Sequence, residues 1–229
     1  MVARSRGREG SPDRSAVSSP DGSAVSVAGL VLAAGSGTRF GPEPKLLAEM
    51  DGRPLLDHVL RAACAVSALE RVVVVLGAHA DAVLARVDLA CAERVLCADW
   101  QDGQSASLRC GLRALAGCEK VVVLLGDQPL ITPQLIARFA VQASGARAAY
   151  GGVPGHPAVL GPELIARAMR LEGDRGLAGE PWQLVECGEA GGVSDIDTPH
   201  DLEAVRELWS SARTGPSRPS RDGCSAVST

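Results

Sequence analysis

Residues 30–47 read LVLAAGSGTRFGPEPKLL. An apolar run without polar alternation, the pattern of a strand covered on both faces, passes directly into two alanines and two glycines. Gly35 and Gly37 let backbone N–H groups approach a ligand closely, and Ala33 and Ala34 are small. Arg39 offers a planar fork for phosphate oxygens, and Lys45 a point charge. The loop is not a G-x-x-x-x-G-K-[ST] phosphate loop, and Phe40 stands where the third glycine of G-x-G-x-x-G belongs. Spacing alone leaves two readings: a plain glycine-rich turn with a surface Arg and Lys, or a backbone cradle for phosphates.

Outward from this stretch the chain alternates. Short valine-rich runs at VAGLVLA (27–33), RVVVVLGA (71–78), ERVLCA (93–98) and KVVVLLG (120–126) read as strands. Between them lie helical patterns at 54–66, 80–87, 105–115 and 132–143, the last with Thr132 as N-cap and Pro133 in its first turn. Strand followed by helix, repeated, predicts an α/β domain with a largely parallel sheet. After about residue 145 the rhythm loosens. RAAYGG, PAVL and WQLVEC read as shorter strands around the helix GPELIARAMRL, a part able to form a substrate-facing lobe, and a final helix is expected to run to Trp209. Residues 1–26 and 210–229 are rich in Ser, Gly, Arg and Pro and read as disordered tails flanking a domain at 27–209.

Ligands of parallel sheets bind at the carboxyl ends of the strands. After the fourth run comes GDQP (126–129), where Asp127 is placed to hold Mg²⁺ against a triphosphate or simply to cap a turn. In SDIDTPHDL (194–202), Asp195 and Asp197 share a face of an extended segment. Capping of the last helix by Asp197 or Thr198 is the plainer alternative. Carboxylates gathered this closely are costly without a cation, which favours a metal site. WQDGQSASLRCG (100–111) is a polar loop running into a helix, suited to a base or sugar or simply a connection with Ser105 as cap. His156 precedes a short strand, and Arg175 sits in the turn GDRG (173–176).

The formal net charge of the 229 residues is −4, and both tails are net positive, so the middle is acidic. That argues against nucleic acid as a partner. No apolar run reaches the roughly 18 residues of a membrane helix, and no signal sequence is read, so a cytoplasmic protein is expected. Seven cysteines, an odd count with no CxxC pair, make poor material for a disulfide frame or a zinc site. Most are expected to be small buried apolar residues in a reducing compartment.

In order and distance, LVLAAGSGTRFGPEPKLL, GDQP, GHPAVL, GDRG and DIDTPHDLEAV together resemble the MobA/MocA-like nucleotidyltransferases, over about residues 27–209. The LAAG opening with GDQP is similar to the molybdenum cofactor cytidylyltransferase branch. The resemblance implies a three-layer Rossmann-like (GT-A-like) fold with a mostly parallel mixed sheet. It also implies transfer of CMP from CTP, or another NMP, to a phosphorylated acceptor such as molybdopterin, with release of pyrophosphate. The NTP would lie on Leu32, Ala33, Ala34, Gly35 and Gly37, with Gly103 and Ser107 from the polar loop. Arg39, Lys45 and Asp127 would be catalytic. Asp127 and Asp197 would hold Mg²⁺, with Asp195 as substitute or support, and His156 and Arg175 would face the acceptor. A molybdoenzyme or its chaperone would be the protein partner. One departure concerns the acceptor: GDRGLA carries Leu-Ala where the family pattern has Ala-Arg. Two other classes remain: an NAD(P)H-dependent reductase of a small heterocycle on a similar fold, and a non-catalytic cofactor-delivery protein.

Overall fold

The computed structural model describes residues 25–188 and 195–213. The valine-rich runs form the middle of a seven-stranded sheet because they are buried on both faces: Leu30, Val31, Val73, Val74, Val75, Val122 and Leu124 are all fully enclosed. β1 (Val27–Ala33) lies between β4 (Arg71–Leu76) and β6 (Lys120–Leu125), parallel to both. β5 (Glu93–Leu96) extends the sheet beyond β4, also parallel.

The later strands do not make a separate lobe. β7 (Ala146–Tyr150), β8 (Val153–Leu160) and β9 (Gln183–Glu186) continue the same sheet, whose order is β5-β4-β1-β6-β8-β7-β9. β8 alone runs against its neighbours β6 and β7, while β7 and β9 are parallel. A small hairpin of β2 (Glu49–Met50) and β3 (Arg53–Pro54) stands apart.

Helices cover both faces, giving three layers. α1 (Leu55–Cys64), α2 (Ala80–Arg86) and α4 (Pro133–Ala140) pack on one face through a core that includes Leu60, Val83 and Phe139. α3 (Gln104–Ala114) and α5 (Pro162–Ala168) pack on the other, around Leu30, Leu112 and Leu160. The Thr132 hydroxyl accepts from the Leu135 N–H, and Pro133 fills the first turn of α4, as the sequence predicts. α6 (Pro199–Arg213) continues four residues past Trp209 and closes on the hairpin through a third cluster of Met50, Leu55, Ile196, Leu202 and Val205. Residues 1–24 and 214–229, most of the expected tails, lie outside the described residues, as does Ser194.

The cysteine reading needs correction. Cys64 and Cys91 are joined in a disulfide. Of the other described cysteines only Cys97 is buried, while Cys110, Cys118 and Cys187 are half-buried. Sequence spacing does not show that the end of α1 and the segment before β5 meet in space.

Candidate active site

A cleft of about 580 Å³ opens at the carboxyl ends of β1 and β6. Its walls come from the loop after β1, the loop after β6, the turn leading into α3, and residues 195–197. Leu32, Ala34, Gly35, Gly37, Arg39 and Lys45 all line it, with Gly103 and Ser107 opposite. Ala33 does not: strand alternation turns it into the core under α1.

Local contacts fix the first loop. The Ala34 carbonyl accepts from Ala78 N–H at 3.1 Å, the His79 Nε2 donates to the Ser36 carbonyl at 2.9 Å, and the Phe40 N–H returns to the Gly37 carbonyl at 2.9 Å. Gly37 has φ 61°, and a Cβ there would stand 3.2 Å from the Lys45 Cβ, so both its conformation and its neighbour call for glycine. Lys45 opens a short 3-10 turn (Lys45–Leu47) anchored by buried Leu46 and Leu47.

The charges converge on Lys45. Its Nζ donates to Asp127 Oδ2 at 2.6 Å and to Asp197 Oδ1 at 3.2 Å, while Arg39 Nη1 meets Asp197 Oδ2 at 3.0 Å. The two carboxylates therefore lie within one ammonium's reach although 70 residues separate them in the chain. The Lys45 and Asp127 side chains are only 13% and 17% exposed, so their bond is poorly screened; Arg39 is 75% exposed, and its pair contributes little. Burial works against the charge on Lys45, but the carboxylates, Asp127 foremost, outweigh it and lift its pKa above the ordinary 10.5.

Asp197 reaches this position because its own backbone is held. The Asp201 carboxylate accepts from the N–H groups of Asp197 (3.0 Å) and Thr198 (2.7 Å), and the Thr198 hydroxyl accepts from Asp201 N–H at 3.2 Å. That is a capping arrangement at the start of α6, with Thr198 as cap. The Asp197 side chain is left for the cleft. The Ile196 N–H reaches the Asp127 carbonyl at 3.3 Å, and its fully buried side chain points into the third cluster, so Asp195 and Asp197 face the other way.

Asp195 also lines the cleft but is held by a different partner. Gln128 Nε2 donates to its Oδ1 at 2.6 Å. Gln128 is 2% exposed, and its Oε1 is buried with no partner among the described residues. Burial, then the nearby charge of Asp127, raise the pKa of Asp195 against the pull of the Gln128 amide. Among the described residues no group of three His, Cys, Asp or Glu side chains forms a ready metal cluster. Two carboxylates converging on one cation, with a third close by, are nevertheless the oxygen donors that a hard dication accepts.

A second cavity of about 290 Å³ adjoins the first and shares Leu32, Gln104, Leu125, Asp174 and Asp195 with it. His156 lines it, with a pKa pushed down to about 3 by burial and then by the Arg147 cation, so the imidazole is neutral. Leu177 and Ala178, where the sequence departs from the family pattern, form part of its wall. Arg175 is exposed and lines neither cavity; from the same turn it is Asp174 that faces both, and its carboxylate accepts from Gln104 N–H at 3.3 Å. Gly103 has φ 100°, and a Cβ there would come within 2.5 Å of the Gly173 carbonyl carbon, so the turn before α3 and the GDRG turn are in backbone contact.

Sequence reasoning did not single out Gln128 or Arg147. The first had a signal in the polar residue that follows Asp127, the second in the one charge within ARAAY.

Residues 29–187 match the family model described as the MobA-like NTP transferase domain. The chain belongs to this family. This MobA-like domain is 34% identical over 189 residues to nicotine blue oxidoreductase of Paenarthrobacter nicotinovorans, a match covering 75% of the chain and 92% of the relative. It is 41% identical over 135 residues to a 2-C-methyl-D-erythritol 4-phosphate cytidylyltransferase from Ralstonia nicotianae, covering 53% of each. Among solved structures, Rv0371c from Mycobacterium tuberculosis H37Rv superposes with a TM-score of 0.71 at 27% identity, covering 81% of this chain and all of that one. A complex of Rv0371c with manganese superposes at 0.68 and 26% identity, covering 80% and 98%. No helix of the described residues is long and apolar enough to cross a membrane.

Proposed function

We propose that this MobA-like protein is an Mg²⁺-dependent cytoplasmic nucleotidyltransferase that moves CMP from CTP to a phosphorylated acceptor of the molybdopterin type. A phosphate oxygen of the acceptor attacks the α-phosphorus, the α–β P–O bond breaks, and pyrophosphate leaves. The observation that carries this reading is Lys45 clasped by Asp127 and Asp197 at the rim of the glycine loop.

The triphosphate would lie along the backbone N–H groups of Ala34, Gly35 and Gly37. Arg39, exposed at the surface, would fork onto phosphate oxygens. Lys45 would turn from the carboxylates to the β- and γ-phosphates and offset the charge growing on the leaving group. Asp127 and Asp197 would hold the dication, and Gln128 would steady Asp195 beside them. The metal would neutralise phosphate charge and align the α-phosphorus. No protein nucleophile is needed, since positioning and charge neutralisation supply the catalysis. His156, neutral, would face the acceptor from the second cavity. Handover to a molybdoenzyme or its chaperone belongs to the same reading.

The test is pyrophosphate release with each NTP and molybdopterin, with and without MgCl₂. CTP turnover that needs the metal and vanishes in Asp127→Asn supports the assignment; turnover in Asp127→Asn near the wild-type rate removes it. The identity to nicotine blue oxidoreductase favours one second reading, an NAD(P)H-dependent reductase of a small heterocycle. NADPH oxidation without pyrophosphate release would establish that reading instead.

A further inference from the structure

Arg147 occupies an unusual place. It sits in β7, between β8 and β9, opposite Ala158 and Leu184. Its neighbours Ala146 and Ala148 point into the core beneath α4, so strand alternation sends Arg147 to the opposite face. There it meets Trp182, with the guanidinium carbon 5.5 Å from the ring centroid. The indole is itself fixed, since its Nε1 donates to the Leu177 carbonyl at 2.7 Å. Arg147 Nε donates to the Gly155 carbonyl at 2.9 Å. The guanidinium is thus oriented by one ring and one carbonyl, which reduces the entropy an arginine loses on binding.

Arg147 has no ion pair within 4 Å among the described residues; Asp195 acts on it only from a distance. Partial burial of the guanidinium lowers its pKa. It lines the smaller cavity, whose other walls include Leu108, Val123, Ala158 and Leu160. With His156 neutral, Arg147 is the one cation lining that space among the described residues. A half-buried, preoriented guanidinium without an ion-pair partner among the described residues is a receptor for an oxyanion.

We propose that Arg147 binds an oxyanion of the acceptor, a phosphate or carboxylate, in the smaller cavity. This rests on the nucleotidyltransferase reading for the word acceptor, but not for the binding itself. Asp174 and Asp195, on the wall shared with the larger cleft, repel an anion there and bias it toward Arg147.

The test is calorimetric titration of the full chain with phenyl phosphate, benzoate and phenol, in the presence and absence of CTP and MgCl₂. Wild type should bind at least one of the two anions in preference to phenol. Arg147→Gln should weaken that anion about tenfold or more, the scale of one charge-assisted bond, and leave phenol and CTP unchanged. Arg147→Lys should recover part of the loss, because it keeps the charge without the fork. Loss confined to phenyl phosphate assigns a phosphate, and loss confined to benzoate a carboxylate. Anion affinities within about twofold of wild type in Arg147→Gln overturn the proposal. Should that variant fail to fold, equal binding of phenol and both anions by the wild type overturns it as well. A chain that never binds CTP sinks the transferase reading while leaving the Arg147 result standing.

Discussion

Replacing Lys45 with methionine keeps the length of the side chain and removes its charge. The ammonium now touches Asp127 at 2.6 Å and Asp197 at 3.2 Å, so its loss leaves two carboxylates facing each other with only the exposed Arg39 to offset them. Like charges at roughly 4 Å repel by about 4 kcal/mol at an effective dielectric near 20. Removing one partner of a buried pair costs about 3–5 kcal/mol. Asp197 is 35% exposed, so solvent takes up part of this, and a destabilisation of about 2 kcal/mol is expected. For a chain of this length that is a fall in Tm of about 4–8 °C. The pKa of Lys45 is raised in the fold, so its stabilisation is complete below the ordinary value of 10.5 and disappears only as the pH climbs through the higher folded value. The gap between wild type and Lys45→Met should therefore stay level from about pH 7 to 9 and close only above 10.5. MgCl₂ should raise the Tm of the variant more than that of the wild type, because the dication relieves the repulsion the lysine had relieved. Pyrophosphate release should fall by about a hundredfold or more, the scale for losing a charge stabiliser. Thermal scans across pH with and without MgCl₂, beside turnover, provide the check. A Lys45→Met protein as stable as wild type at neutral pH and turning over normally would make Lys45 an ordinary surface lysine.

Three further outcomes follow from the geometry. Gly103→Ala places a Cβ at φ 100° about 2.5 Å from the Gly173 backbone and should lower stability by about 2 kcal/mol or more, measured by urea unfolding. His156 is neutral in the fold, with a pKa of about 3 against an ordinary 6.5, so the unfolded chain takes up its proton first and stability drops as the pH falls from 6.5 toward 3. His156→Gln should flatten that acid limb of the urea-midpoint profile; an unchanged slope would mean the imidazole is not shut away. Cys64→Ser opens a crosslink spanning 27 residues and should cost about 3.5 kcal/mol by chain entropy, read as the same Tm fall that dithiothreitol gives the wild type.

The fold was legible wherever burial on both faces left valine-rich runs bare of polar alternation, because that pattern depends on the strand itself. The direction of β8 was not, since running against its neighbours requires no change in composition, and the loosened rhythm after residue 145 records three more strands of the same sheet rather than a new lobe. Asp127 was legible from its position just after β6. Which of Asp197 and Thr198 caps α6 was not, because the cap depends on Asp201, whose carboxylate pairs with Thr198. Ala33 could have been set aside by the alternation of β1, which turns it away from the face of Leu32 and Ala34. Arg147 and Gln128 acquire meaning only from partners far along the chain, Trp182 and Asp195 respectively, and no local pattern announces such pairs. The cysteine pairing failed for the same reason.

The bridge from Cys64 to Cys91 has a consequence of position. Cys64 closes α1 just ahead of β4, and Cys91 stands just ahead of β5, so the two meet where these parallel strands begin, at the rim opposite the cleft. Reductant therefore acts on heat tolerance from the far end of the molecule. A sample kept cool in reducing buffer should be less durable but no less able to bind nucleotide, and enzymology and storage can be optimised independently.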